Sequence, residues 1–203
     1  MISPRIIICP YSKKAGTGRD QARYVLAREF SRSPDMIAID ARPDGKPFLR
    51  GEDAHIGITH SGALLALYIG PSEAGIDVER VKPRANVAEI AKLVFSEREN
   101  REYNNGDRES LVRFYRIWTA MEATLKRQGL GLSGLARRTE CDPAEIRHWQ
   151  IGPDYILCVS AEQTVLEDIE IRVLPETSID PKDVTALKDA CPAFCQTSSK
   201  MFR

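Results

Sequence analysis

Three acids stand where acids are uncommon. In the stretch "AGIDVERV", Asp77 and Glu79 are two residues apart. On a β-strand they share one face, with backbones roughly 6.5 Å apart, close enough for both carboxylates to lean onto one cation. Asp and Glu are depleted in strands, although a solvated strand face accounts equally well for this pair taken alone. In "RIWTAMEATLK", helical geometry at 100° per residue puts Leu111, Phe114, Met121 and Leu125 within about 60° of Trp118. Arg113, Arg116, Ala120, Ala123 and Arg127 fall on the far side, and Glu122 falls only about 40° from Trp118. An unpaired carboxylate on that apolar side costs several kcal/mol, so it must be hydrogen-bonded, neutralised or metal-bound. The plainer alternative is an edge ion pair with Lys126 at i+4, a contribution of only about 0.3 to 0.5 kcal/mol. Two further groups carry donors: Thr59, His60 and Ser61 in "GITHSG", and Lys46 in the stiff turn "DGKP".

The elements that must position these groups can be read from periodicity. "RIIIC" reads as a buried strand, residues 19–32 as a helix, and "DARPDGKPFL" as a turn-rich segment. Strands follow over 55–59, "ALLALYIG" and "AGIDVERV", after which Lys82, Pro83 and Arg84 break the pattern. A short helix is expected over 87–95, and Ser96 with Glu99 forms a capping-box pattern for the next. The loop "NNGDRE" leads into a strongly amphipathic helix over 110–128, stopped by Gly129 and Gly131. "EIRHWQI", "YILCVSA" and "DIEIRVLP" read as strands, and the end of the chain as a helix or a loosely held tail. The segments "LALYIGPSEAGIDVERV" and "YILCVSAEQTVLEDIEIRVL" repeat one plan of strand, polar turn and strand, a hint of two related halves that two ordinary hairpins could also produce.

A chain of 203 residues can bury a sizeable core. With 29 basic and 29 acidic residues, bulk charge points to neither nucleic acid nor a membrane surface, so any anion site must be local. The five cysteines are odd in number and scattered, which suits reduced thiols in a cytoplasmic protein. Cys191 and Cys195 form a CxxxC without a second pair, a weak metal signal. The apolar run "IIIC" is far too short for a membrane span or a signal segment.

Taken in order, "DGKPFL", "IGITHSG", "GIDVERVKPR" and "FYRIWTAMEATLKRQGLGL" resemble the motifs of the 4'-phosphopantetheinyl transferases of the surfactin-synthetase-activating type. The resemblance implies an α+β fold of two similar α/β subdomains, 1–83 and 84–175, forming an intramolecular pseudo-dimer with the active site at their junction, followed by a tail over 176–203. It implies transfer of the phosphopantetheine arm of coenzyme A to a serine of an apo carrier protein, whether of fatty-acid, polyketide or non-ribosomal peptide synthesis. Adenosine 3',5'-bisphosphate is the other product. By the same resemblance Asp77, Glu79 and Glu122 match ligands of Mg²⁺, for which Mn²⁺ can stand in, and Glu122 and Lys126 match catalytic groups. Arg19, Lys46, Thr59, His60 and Lys126 match the residues that hold coenzyme A. Such two-half enzymes are commonly monomeric.

The chain departs from the motif W-x-x-K-E at Met121, where the family usually has lysine. The missing charge keeps open a second reading, a non-catalytic or weakly active module that binds coenzyme A or a carrier protein. Lys13, Lys14 and Arg127 are the candidate substitute cations. Paired acids alone are also compatible with an unrelated Mg²⁺ phosphohydrolase.

Overall fold

β1 (Arg5–Pro10) is buried on both faces, which is why its sequence is an unbroken run of branched residues. Ile6 and Ile8 point into a core between two sheets, while Ile7 and Cys9 point at α1 (Gly18–Glu29). α1 starts at a capping box, with Thr17 and Asp20 each satisfying the other's backbone N–H. In this computed structural model the described residues are 2–103, 108–131, 134–135, 140–175 and 184–186. The "DARPDGKPFL" segment forms a small hairpin, β2 (Ile39–Ala41) and β3 (Pro47–Leu49), rather than a plain turn.

β4 (His55–Ser61) and β5 (Leu64–Gly70) pair antiparallel, and β5 pairs with β1. β6 (Gly75–Arg80) then leaves this sheet and pairs with β8 (Tyr155–Ser160), itself paired with β7 (Ile146–Ile151). After β8 the chain makes the reverse crossing, and β9 (Glu170–Val173) pairs parallel with β1. Each sheet thus takes the strand that follows the other's hairpin. The resulting orders are β4-β5-β1-β9 and β10-β7-β8-β6, where β10 is Val184–Ala186. The fold is α+β, as the sequence indicates.

The crossing from β8 to β9 contains α5 (Gln163–Asp168), not the bare polar turn that the repeated plan suggests. Val165 and Leu166 enter the core there, so the segment closes one helical turn to bury them. β10 is likewise a short strand where a helix or loose tail is expected. Cys191 and Cys195 lie outside the described residues, whereas Cys9, Cys141 and Cys158 are buried and not joined in disulfides. Among the described residues no helix is long and apolar enough to cross a membrane. Glu29 ties three elements together, accepting from Arg5 Nε of β1 at 2.9 Å and from Arg172 Nη1 of β9 at 3.0 Å.

α2 (Val87–Val94) and α3 (Glu97–Tyr103) pack on α4 (Arg108–Gln128) through Phe95, Tyr103, Phe114 and Tyr115. The expected Ser96–Glu99 capping box forms, at 2.7 and 3.2 Å. α4 departs from a one-sided amphipathic helix. Ala120 and Ala123, placed on the outward side by the helical wheel, are buried against Cys141, Ile146 and Cys158. Small residues let the helix settle directly on the sheet. At the closest approach, a Cβ on Gly75 would collide with the Ala123 carbonyl oxygen and the Arg127 backbone nitrogen, so glycine is required there for steric reasons.

Gly75→Ala should therefore force α4 off β6 and cost about 1 to 3 kcal/mol, read as a lowered denaturant midpoint. His148 on β7 gives a second test. Its Nε2–H donates to the Arg116 carbonyl at 3.0 Å, its buried Nδ1 has no partner, and burial with the nearby Arg116 charge lowers its pKa to about 4. The folded protein favours neutral imidazole, so this contribution is complete above pH 6.5 and is lost as pH falls from there toward 4. The loss should total on the order of 3 kcal/mol. In denaturant titrations across that window, His148→Gln should show a correspondingly flatter pH dependence than the parent.

Candidate functional site

β4 and β6 are edge strands of different sheets, and they face each other. An edge leaves backbone N–H groups without ladder partners, and here hydroxyls supply them. Val78 N donates to Thr59 Oγ1 at 3.3 Å and Arg80 N donates to Ser61 Oγ at 3.1 Å. Each hydroxyl in turn donates a hydrogen bond to an acid on β6: Thr59 to Asp77 Oδ1 at 3.1 Å, and Ser61 to Glu79 Oε2 at 2.7 Å. The two-residue period of one strand matches the two-residue period of the other. Gly57, one step back on the same face, leaves room for Ile76.

α4 closes the site from above. Lys126 Nζ lies 2.5 Å from Asp77 Oδ1, 3.4 Å from Thr59 Oγ1 and 3.9 Å from Glu122 Oε2. The i,i+4 ion pair with Glu122 is therefore present, but the shorter contact of Lys126 is to Asp77. Asp77 is only 4% exposed. Its Oδ2 is buried with no hydrogen-bond partner. Burial pushes its carboxyl up to about 7; Lys126 opposes this rise, and Glu122 and Glu79 add to it. Glu122 is half-buried, and burial raises its carboxyl too. Glu79 is held by Ser61 and has Arg84 Nη2 at 3.8 Å.

Of the three acids predicted from sequence, Asp77 and Glu122 lie beside Lys126, and Glu79 acts on both electrostatically. Among the described residues, no three histidine, cysteine or acidic side chains are already arranged to hold a metal. Asp77 Oδ1 is bonded to Lys126 and Glu79 Oε2 to Ser61, so Asp77 Oδ2 is the oxygen open to a cation without breaking a bond. The donor set nevertheless suits a hard divalent cation, because it is all oxygen and includes one buried, unpartnered carboxylate oxygen.

The donors predicted to hold an anion flank the acids. His60 stacks on Tyr11, ring centroids 4.0 Å apart, and its Cδ2 stands against Gly18 at the start of α1. Burial, then the charges of Lys126 and Lys13, lower its pKa, so the imidazole is neutral near pH 7. Arg19 follows Gly18 and is exposed. Lys46 lies at the far end of α4, bonded to Glu73 and to the Arg127 carbonyl. Lys46, Gly57, Gly75, Lys126 and Gly129 line a cavity of about 250 Å³, so two of the predicted cations share one wall.

Met121 is 1% exposed, fully inside the core and not at its margin. Of the substitute cations, Arg127 is paired with Glu145 Oε2 at 3.0 Å, Lys14 is exposed, and Lys13 comes near enough to act on His60. The sequence marks Ser61 as a donor but not as the partner of Glu79, a pairing legible in the shared spacing of Thr59 and Ser61 with Asp77 and Glu79. Glu73 is not found from the sequence.

Residues 73–173, which include all three acids and Lys126, match the model of the 4'-phosphopantetheinyl transferase superfamily. The 4'-phosphopantetheinyl transferase Sfp of Bacillus subtilis (strain 168) is 29% identical over 157 residues, 68% of this chain and 69% of that protein. The 4'-phosphopantetheinyl transferase AcpT of Salmonella typhimurium is 36% identical over 110 residues, 53% of this chain and 56% of its own length. The 4'-phosphopantetheinyl transferase HetI of a Nostoc species is 27% identical over 147 residues, 68% of this chain and 62% of its own. The matched part of the chain thus spans 56% to 69% of these relatives' lengths. On the family match and these relatives together, the chain belongs to the 4'-phosphopantetheinyl transferase superfamily.

Proposed function

We propose that this protein transfers the 4'-phosphopantetheine arm of coenzyme A to a serine hydroxyl of an apo carrier protein and releases adenosine 3',5'-bisphosphate. The observation that carries this reading is the buried Asp77 carboxylate with one oxygen unpartnered, beside Glu79 and Glu122 and next to a cavity walled by Lys46 and Lys126. A buried, incompletely satisfied carboxylate is costly, and costs of this kind persist where a bound ligand is to be met. Residues 1–83 and 84–175 are read as two similar halves and 176–203 as a tail. Supporting this reading, each sheet takes the strand that follows the other's hairpin.

Mg²⁺, or Mn²⁺ in its place, held by Asp77, Glu79 and Glu122, would offset negative charge on the pyrophosphate of coenzyme A. The serine oxygen forms its bond to the β-phosphorus of that pyrophosphate as the bond to adenosine 3',5'-bisphosphate breaks. Glu122 takes the serine proton, a task suited to a carboxyl that burial has made more basic. Lys126, released from Asp77, meets a phosphate oxygen. Arg19, His60 and Lys46 bind the nucleotide portion. Thr59 holds Asp77, since its hydroxyl already donates to that carboxylate.

Incubation with coenzyme A, Mg²⁺ and a panel of apo carrier proteins should add the phosphopantetheine mass to at least one carrier. A panel that stays unmodified overturns the activity. Asp77→Ala and Glu122→Ala should each lower the rate at least 100-fold with the fold retained, a loss of about 3 kcal/mol or more in transition-state stabilisation. Asp77→Asn supplies a readout independent of turnover. A carboxyl raised from 3.8 to about 7 on folding lets stability fall as pH rises between those values. With a chelator present, the asparagine variant should therefore melt above the parent at pH 8 and lose that advantage near pH 4.

Met121, standing where the family usually has lysine, favours one alternative, binding of coenzyme A without turnover. Calorimetric titration that detects binding with no modified carrier, together with a gain of activity in Met121→Lys, would establish it. Binding accompanied by turnover rejects it.

A further inference from the structure

Residues 42–46 make a tight turn between β2 and β3. Gly45 N donates to Arg42 O at 2.8 Å, Arg42 N donates to Lys46 O at 2.9 Å, and Lys46 N donates to Asp44 Oδ1 at 3.0 Å. The turn docks on the end of α4, where Gly129 leaves no space for a Cβ beside the Asp44 carboxylate. Lys46 Nζ donates to the Arg127 carbonyl at 3.0 Å, one of the last carbonyls of that helix, where a cation is favoured. Its second partner is Glu73 Oε2, from the crossing between β5 and β6.

Glu73 is itself held in place. Its Oε1 lies 2.6 Å from Arg42 Nη2 and 3.2 Å from His55 Nδ1, which leaves Oε2 for Lys46. Burial pushes its carboxyl up, but the bonds from Lys46 and Arg42 more than offset that, so it is ionised at neutral pH. An ammonium has three N–H donors. Glu73 and Arg127 take two of those on Lys46, and Lys46 also forms part of the cavity wall.

We infer that Glu73 is a positioning residue: it fixes Lys46 at the cavity wall with one N–H left for an anionic group of bound coenzyme A. This inference rests on the transferase reading above. Removing Glu73 has two opposed effects. It takes away a negative charge that repels an incoming phosphate, and it releases the lysine. The first effect is small, because Arg42 and Lys46 already counter that charge and Glu73 does not line the cavity. The second is larger, because the Lys46 side chain is only 9% exposed. Without its carboxylate partner, the ammonium would follow its flexible stem out to water and leave the wall.

The test is a calorimetric and kinetic comparison of the full chain with Glu73→Ala, Lys46→Ala and the double variant, using coenzyme A as titrant. Glu73→Ala should weaken coenzyme A binding about tenfold, the size expected for one charge-assisted contact, and raise KM while leaving kcat unchanged. The double variant should bind no more weakly than Lys46→Ala alone, because both changes remove the same contact. Glu73→Gln keeps the shape without the charge and should weaken binding in the same direction; it carries the test if the alanine variant fails to fold. A folded Glu73 variant that binds coenzyme A as tightly as the parent, or whose loss adds fully to that of Lys46→Ala, overturns this inference alone. A folded parent that takes up no coenzyme A overturns the transferase reading and this inference with it.

Discussion

The arrangement of the site depends on a backbone contact. α4 lies so close to β6 that Gly75 has no room for a side chain beneath Ala123 and Arg127. That approach places Lys126 2.5 Å from Asp77 and sets Glu122 over the same strand. A longer side chain at position 75 or at either buried alanine would lift the helix. The charged groups would then be solvated separately, and their influence on one another would fall with distance and with the higher dielectric. The electrostatics of the site therefore follow from sterics a few residues away.

Two sheet edges face each other along the floor of the site. An exposed edge normally invites pairing with another chain. Here Thr59 and Ser61 satisfy the β6 N–H groups in place of a strand, and the same hydroxyls orient Asp77 and Glu79. Edge protection and carboxylate positioning are one set of bonds. Either hydroxyl, if lost, would leave a backbone donor without its partner and take one hydrogen bond from its acid. This accounts for two hydroxyl residues on β4 at the spacing of the acids on β6.

Much of this was legible in the sequence, because the signals were periodic. Most strands, the central helix and the inward turn of Glu122 follow from alternation and from the helical wheel. Ala120 and Ala123 of α4 show where that reasoning fails. A helical wheel assumes one buried side and one wet side, whereas α4 has the sheet on one flank and α2 and α3 on another. α5 was hidden because its six residues offer too short a window for a period, and its two buried residues resemble the start of a strand. Glu73 was illegible for a different reason. Its partners Arg42, Lys46 and His55 come from a hairpin and a strand roughly 20 to 30 residues earlier, and no local pattern marks such a meeting.

The parallel pairing of β9 with β1 joins residues 5–8 to residues 170–173, with Glu29 bridging Arg5 and Arg172 beside them. Contacts this distant in sequence raise the contact order and close late. On a ribosome the first sheet would stay one strand short, with the β9-facing edge of β1 unpaired, until nearly the whole described chain had emerged. During that interval β1, an apolar strand buried on both faces in the finished protein, would be the segment most in need of a chaperone.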